Sequence, residues 1–224
     1  MIPWILLDKA AVPGGSELRL MRRGAEFSIL SGPTTLMSSR MSGSEIALAE
    51  LACARIGGRA KCHVLIGGFG MGFTLRAALA KLGKDARVTV AELVPTVLAW
   101  ARGPMAELSA ACLADPRVSI REEDVRGTIA SGARFDAILL DVDNGPDGLT
   151  QGANDELYDH IGLRAARKAL RPGGVLAVWS AAPSKEFPKR LGQAGFAVEE
   201  IKTRANSNGK GARHIIWIGT APGK

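Results

Sequence analysis

Acidic side chains follow three apolar stretches of the chain, at the point where each stretch ends. Glu92 follows the first of these stretches, Asp124 the second, and Asp141 with Asp143 the third. Because the carboxyl ends of parallel strands meet at one edge of a sheet, ligands of open α/β sheets bind there. Carboxylates at such an edge can hold ribose hydroxyls, accept a hydrogen bond from an adenine amino group, or take a proton from a nucleophile. The acids therefore predict a nucleoside-type ligand and a proton acceptor.

A glycine-rich loop precedes these acids. The apolar run that begins at Val64 ends in Gly67, Gly68, Gly70 and Gly72, and a helix-like stretch follows at once. Glycines allow a tight strand-to-helix turn and let a ligand approach backbone N–H groups at a helix N-terminus. An acid near a helix start often only caps that helix, and this explanation is strongest for Asp124. Acids at successive strand ends after a glycine loop favour a ligand site over capping alone.

The elements that position these residues alternate from residue 62 onward. We expect strands over Cys62–Ile66, Arg87–Ala91, Val118–Arg121, Phe135–Leu140 and Val175–Trp179. We expect helices over Thr74–Leu82, Pro95–Ala101, Met105–Ala114, Val125–Ala130, Asn154–Leu170 and Lys185–Ala194. Two later strands, Phe196–Ile201 and His214–Ile218, have no helix between them and predict an antiparallel pair at the end of the sheet. This order indicates an α/β fold with a doubly wound, mostly parallel, Rossmann-like sheet of seven strands.

The first forty residues have a different pattern. Short strands separated by glycine and proline are expected over Trp4–Lys9, Glu17–Arg22, Ala25–Leu30 and Thr34–Ser38. Residues 42 to 45, Ser-Gly-Ser-Glu, have the spacing of a capping box and predict the start of an amphipathic helix over Ile46–Ile56. We therefore divide the chain into a small antiparallel β appendage, residues 1–40, and a cofactor-binding catalytic domain, residues 41–224.

The composition excludes several classes of protein. Of the 224 residues, 46% are hydrophobic and 23% are charged, as in an ordinary globular enzyme. The net charge of +7 is dispersed and the chain has a single Tyr, which disfavours nucleic-acid binding. The three cysteines and three histidines lack metal-ligand spacing, so we expect no metal. No apolar run could cross a membrane and the N-terminus has no signal-peptide pattern, so we expect a cytoplasmic protein with no membrane contact.

Several segments resemble the spermidine synthase family within the class I S-adenosylmethionine (AdoMet) methyltransferase superfamily. They are Gly67–Arg76, Val90–Glu92, Asp115–Val118 and Phe135–Asp141, with Leu170–Leu176 and Ala194–Phe196 typical of the wider superfamily. By this resemblance, the four loop glycines would line the amino-acid or aminopropyl portion of AdoMet or decarboxylated AdoMet. Glu92 would hold the ribose, and Asp124 with Val125 would hold the adenine. Asp141 falls at the position of the family's catalytic acid.

Two departures from the family change the expected reaction. Spermidine synthases usually carry an Asp inside the glycine loop, which attracts the ammonium of decarboxylated AdoMet, whereas this loop has no acid. Bare loop N–H groups would instead bind the carboxylate of intact AdoMet. Two unit charges ~4 Å apart interact by about 4 kcal/mol at a surface-like dielectric, which is enough for a loop acid to select between the two cofactors. The motif after the fourth strand is also altered, because the second acid, Asp143, is displaced by one residue. The polyamine site is therefore expected to be lost or rebuilt.

The sequence thus predicts a transferase that uses an AdoMet-type sulfonium on a small-molecule nucleophile, with methyl transfer slightly favoured. Aminopropyl transfer from decarboxylated AdoMet is the first alternative and a noncatalytic cofactor-binding protein is the second. RNA methylation is the third alternative. Asp141 is the candidate to orient or deprotonate the nucleophile, with Asp143 as its partner. The resemblance admits an amine acceptor and a homodimer. Trp179 is expected either to pack in the core or to form a wall of the acceptor pocket.

Overall fold

The N-terminal region forms a sheet of its own. The computed structural model describes residues 2–13, 17–142, 145–146, 156–206 and 208–223. Strands β1 (Ile5–Ala10), β2 (Leu18–Arg23), β3 (Glu26–Ser31) and β4 (Thr34–Ser38) pair in sequence order, each antiparallel to the next. Leu20, Phe27 and Ile29 are buried, so one face of this sheet packs against the rest of the chain.

The main sheet has seven strands. They are β5 (His63–Gly67), β6 (Arg87–Ala91), β7 (Val118–Arg121), β8 (Phe135–Leu140), β9 (Leu170–Ser180), β10 (Ala197–Arg204) and β11 (Arg213–Thr220). Their spatial order is β10-β11-β9-β8-β5-β6-β7. Strands β5 to β9 pair in parallel, and β11 runs antiparallel to both β9 and β10. The chain reverses its direction of winding between β5 and β8, which places the ligand crevice beyond the carboxyl ends of these two strands.

Helices accompany the strands, and seven of them have both ends within the described ranges. They are α1 (Gly43–Arg55), α2 (Phe73–Lys81), α3 (Pro95–Arg102), α4 (Ala106–Leu113), α5 (Val125–Ala130), α6 (His160–Ala169) and α7 (Phe187–Gln193). One hydrophobic cluster lies on each side of the main sheet, and the larger one includes Leu20, Phe27 and Ile29 of the N-terminal sheet. The N-terminal sheet therefore shares a core with α1, α2 and α3.

The predicted fold class is confirmed: a mostly parallel seven-stranded sheet with an antiparallel N-terminal sheet. The antiparallel pair at the end of the sheet is confirmed as β10 and β11. The division into domains at residue 40 stays a prediction. In the described ranges, the helices are all too short or too polar to cross a bilayer.

Two local predictions are wrong. The single helix expected over Asn154–Leu170 is interrupted at Asp159, whose extended backbone and side chain cap α6 by accepting from Ile161 N and Gly162 N. Asn154 itself lies outside the described residues. The capping box is also wrong, because Ser42 makes no side-chain capping bond and the carboxylate of Glu45 accepts from Ser44 Oγ instead.

Candidate active site

A cavity lies at the carboxyl edge of the main sheet and brings together most of the predicted site residues. Gly68, Gly70, Glu92, Asp124, Val125 and Asp141 all line it. The N-terminal sheet adds apolar side chains, and α1 and β9 add one residue each: Leu18, Ile29, Leu36, Met37, Glu45 and Trp179. Of the loop glycines, Gly67 and Gly72 flank the cavity without being among the described residues that line it. Asp143 lies outside the described residues.

The glycine loop has a backbone that side chains would disrupt. Gly68 has φ +86°, and a Cβ atom placed there would lie 2.5 Å from the carbonyl oxygen of Asp141. The loop after β5 therefore touches the chain after β8 directly, and Asp141 N donates to Gly67 O at 3.0 Å. Gly70 and Gly72 also have positive φ values, +54° and +78°. These positions favour glycine because L side chains rarely adopt this conformation.

The backbone N–H groups of the loop are already engaged within the protein. Gly68 N donates to Ala91 O at 2.8 Å, and Gly72 N donates to Phe69 O at 2.8 Å. Met71 N donates to the thioether sulfur of Met37 at 3.1 Å, so strand β4 is bonded to the loop.

The amide of Phe69 donates to Glu92 Oε2 at 2.8 Å. The expectation that bare loop amides would bind a carboxylate is therefore wrong for the amides of residues 68, 69, 71 and 72, which have partners within the protein.

Glu92, at the end of β6, is held by the loop. Its carboxylate accepts from Phe69 N at 2.8 Å and from Val94 N at 2.9 Å. Burial raises the pKa of Glu92, and these backbone donors oppose the shift. Each carboxylate oxygen has two acceptor sites, so accepting from the backbone leaves capacity for two ribose hydroxyls.

Asp124 has a structural role that is visible in the structure. It caps α5 by accepting from Arg126 N at 2.8 Å, and it forms an ion pair with the Arg126 side chain at 2.8 Å. Burial opposes ionisation, but the hydrogen bonds from Arg126 outweigh it and lower the pKa of Asp124. Asp124 and Val125 nevertheless line the cavity next to Glu92. Their contact with adenine stays a prediction.

Asp141 and Glu45 form a pair of acids that line the same cavity. The hydroxyl of Thr74, in the first turn of α2, donates to Asp141 Oδ2 at 2.6 Å. Desolvation raises the pKa of Asp141 to about 6. Desolvation and the negative charge of Asp141 raise the pKa of Glu45 to about 7. A pair of carboxylates in one partly dry site attracts a cation and resists a further anion.

Glu45 and two residues behind it were not predicted as part of the site from the sequence. Ser44 Oγ donates to Glu45 Oε2 at 2.7 Å, and Nδ1 of His214 lies 2.9 Å from the same hydroxyl. The His214 ring packs edge-on against Trp179, with centroids 4.9 Å apart. Trp179 is thus both packed and part of the cavity wall. The available signal was Glu45 at a helix start, but the capping-box interpretation gave this residue a structural role.

The cavity therefore combines hydrogen-bond acceptors with a pair of acids that favours a cation. Glu92 offers acceptor capacity beside the loop, and the Glu45–Asp141 pair offers a cation site. Among the described residues, no group of three or more His, Cys, Asp or Glu side chains is arranged to hold a metal ion.

The fold is consistent with the class I methyltransferase type. The structure is similar to a crystal structure of spermidine synthase in complex with the transition state analogue AdoDATO, with a TM-score of 0.75. It is also similar to spermidine synthase from Thermotoga maritima, with a TM-score of 0.76. Each comparison has 16% sequence identity and covers 96% of this chain and 72% of the other.

In sequence, the chain is 34% identical over 124 residues to polyamine aminopropyltransferases of two Mycobacterium tuberculosis strains and of Mycobacterium bovis. The match covers 54% of this chain and 23% of each relative, so it spans less than a quarter of the relatives' own length. No protein-family model matches the chain.

These relatives overturn the preference for methyl transfer. The relatives named above are aminopropyltransferases, and the two solved structures named above are spermidine synthases. The physical reason for the error lies in the loop, where the amides of residues 68, 69, 71 and 72 are occupied, and in the carboxyl group of Glu45, which lines the same cavity. The missing loop acid therefore does not indicate intact AdoMet.

Proposed function

We propose that the chain is an aminopropyltransferase of the spermidine synthase type. It would transfer the aminopropyl group of decarboxylated AdoMet to a small amine. The observation that carries the proposal is the pair of Glu45 and Asp141 beside the glycine loop, at the end of the cavity where the donor's tail would lie. The likeness to polyamine aminopropyltransferases and spermidine synthases supports it.

The charge at this end of the cavity discriminates between the two donors. Decarboxylated AdoMet ends in an ammonium, whereas intact AdoMet adds a carboxylate. Two protein carboxylates attract the first tail and repel the carboxylate of the second. Since the amides of residues 68, 69, 71 and 72 already have partners, the loop offers that carboxylate little compensation.

The other end of the cavity suits a nucleoside. Gly68 and Gly70 let the ligand approach the backbone, and Gly67 and Gly72 allow the turn that carries them. Glu92 would accept from the ribose hydroxyls through the acceptor sites that the loop leaves open. Asp124 and Val125 would contact the adenine beside them.

The reaction needs an acceptor nitrogen with a free lone pair. The donor supplies a propyl carbon activated by the adjacent sulfonium. The nitrogen lone pair forms the new C–N bond as the C–S bond breaks, and the bonding electrons remain on sulfur, which leaves as a neutral thioether. We assign to Asp141 the removal of the proton from the acceptor ammonium. The Thr74 hydroxyl holds the Asp141 carboxylate in place. Asp143 stays a predicted partner in this step.

Calorimetry with the purified protein tests the donor. Decarboxylated AdoMet should bind at least about tenfold more tightly than AdoMet, which corresponds to about 1.4 kcal/mol. A transfer assay with putrescine and other small amines should then yield the aminopropylated amine, detected by mass spectrometry. Tighter binding of intact AdoMet would contradict the proposal. Tight donor binding without transfer to any amine would support a noncatalytic binding protein instead.

A further inference from the structure

Glu45 is not an isolated carboxylate but the end of a buried hydrogen-bonded chain. Its Oε2 accepts from Ser44 Oγ at 2.7 Å, and Ser44 Oγ lies 2.9 Å from His214 Nδ1. Ser44 is fully buried, with 0% of its surface exposed, so its hydroxyl has no access to solvent. The chain connects α1 to β11, two elements that are far apart in the sequence.

The direction of the hydrogen bonds depends on the charge of Glu45. A serine hydroxyl has a single hydrogen. When Glu45 is ionised, Ser44 gives that hydrogen to the carboxylate, so His214 Nδ1 must carry the proton that it donates to Ser44. When Glu45 is protonated, it can donate to Ser44, which then donates to an unprotonated Nδ1. The tautomer of His214 is therefore tied to the protonation state of Glu45.

His214 is the basic member of the hydrogen-bonded chain of Glu45, Ser44 and His214. Trp179 of β9 packs against the ring, and Thr203 of β10 is in register with His214. On the other side, the charged or titratable groups that share the cavity with Glu45 are Asp141, Glu92 and Asp124, all of them acidic. Burial lowers the pKa of His214, so the ring is mostly neutral and its tautomer is free to respond.

We infer that His214 is a positioning residue which, through Ser44, favours the ionised form of Glu45 against the cost of burial and keeps its carboxylate turned into the cavity as the binding group for an ammonium ion. The ammonium ion that Glu45 would bind is that of the donor's aminopropyl group, so this inference rests on the proposed function. Glu45 would then do from α1 what an acid inside the glycine loop does elsewhere in the family. Asp141 is left to deal with the acceptor amine.

A pair of ligands tests the assignment. Decarboxylated AdoMet carries the ammonium, and the dimethylsulfonium analogue of the same nucleoside keeps the sulfonium charge but lacks the ammonium. Ser44→Ala and His214→Gln should each weaken the binding of decarboxylated AdoMet about tenfold, and Glu45→Gln should weaken it more. All three variants should bind the analogue as the wild type does.

Matched controls come from the same chain. Ser42→Ala removes a nearby hydroxyl that makes no capping bond, and His160→Gln changes an exposed histidine of α6. Both should bind the two ligands as the wild type does. Equal loss of both ligands in Ser44→Ala and His214→Gln would mean that these residues only maintain the fold, and unchanged binding of both would also overturn the inference.

The imidazole nitrogen shifts of His214 provide a readout that needs no ligand. In the wild type, the proton should move between Nδ1 and Nε2 as Glu45 titrates, and in Ser44→Ala this coupling should vanish. A tautomer that does not change with pH in the wild type would overturn the inference. If neither nucleoside binds any variant while the coupling is present, the proposed function fails and the hydrogen-bonded unit stands.

Discussion

Two pairs of acids in the cavity have different partners. At the proposed nucleoside end, Asp124 has an arginine partner that lowers its pKa, and Glu92, whose pKa burial raises, accepts two backbone amides. At the proposed tail end, the side-chain donors to Asp141 and Glu45 in the described part of the chain are the hydroxyls of Thr74 and Ser44, and the two pKa values rise to about 6 and about 7. The first pair is held by an arginine and by backbone amides, whereas the second leaves negative charge that a cationic ligand would compensate.

Replacing Asp141 gives the largest expected effect at the tail end. Asp141→Asn should reduce transfer at least about a hundredfold, because the acceptor ammonium loses its proton acceptor. Nucleoside binding should change much less, since Glu92 lies at the other end. Steady-state rates and calorimetry on the same preparation check this. Asp85→Asn, on an exposed turn, is the control and should be fully active.

The contact between the two ends can be broken at Gly68. Gly68→Ala should lower the free energy of unfolding by about 2 kcal/mol or more, because the new Cβ would lie 2.5 Å from Asp141 O in a left-handed conformation. Gly58→Ala is a matched control, since Gly58 has φ +75° but nothing within 4 Å of an added Cβ. It should lose only about 1 kcal/mol. Equal losses in urea denaturation would mean that the crowding at Gly68 is relieved elsewhere.

The uncompensated charge at Glu45 predicts a pH-dependent stability. In the unfolded chain its carboxyl titrates near the ordinary 4.5, whereas in the folded protein its pKa is raised to about 7. Between these values the unfolded state has released a proton that the folded state retains, so wild-type stability should fall as the pH rises from about 4.5 to about 7.

Glu45→Gln removes this titration. The variant should be more stable than the wild type at about pH 8, by on the order of 1–2 kcal/mol, and the gain should shrink in acid. Thermal unfolding across this pH range checks it. A gain of the same size at every pH would indicate improved packing and no charge effect.

The bond between the N-terminal sheet and the glycine loop has the smallest expected effect. Met37→Leu keeps the apolar volume but removes the sulfur that accepts from Met71 N. It should destabilise the protein by about 1 kcal/mol and speed the hydrogen exchange of that amide. Leu36→Met, which changes the neighbouring side chain in the cavity wall, should leave the exchange of Met71 unchanged.

Local patterns were sufficient for most of the fold. Strands β6, β7 and β8 and helix α5 have the predicted bounds, because apolar runs punctuated by glycine, proline and acids mark their ends. The contacts at the tail end of the cavity could not be predicted from such local patterns. The bond from Met71 to Met37 joins residues 34 apart and that between His214 and Ser44 joins residues 170 apart, so no short spacing encodes either.

If Glu45 on α1 takes the place of an acid in the glycine loop, as we propose, the shape of the donor site is separated from its charge. The loop must remain glycine-rich to keep its backbone clear of Asp141, and it can do so whatever stands at position 45. One exchange at a helix start would then alter the preferred donor while the nucleoside end stays intact. In a lineage of such proteins, a change of donor would leave no trace in the glycine motif, and the residues to follow would be Ser44, which donates to Glu45, and His214 of β11, which lies against Ser44.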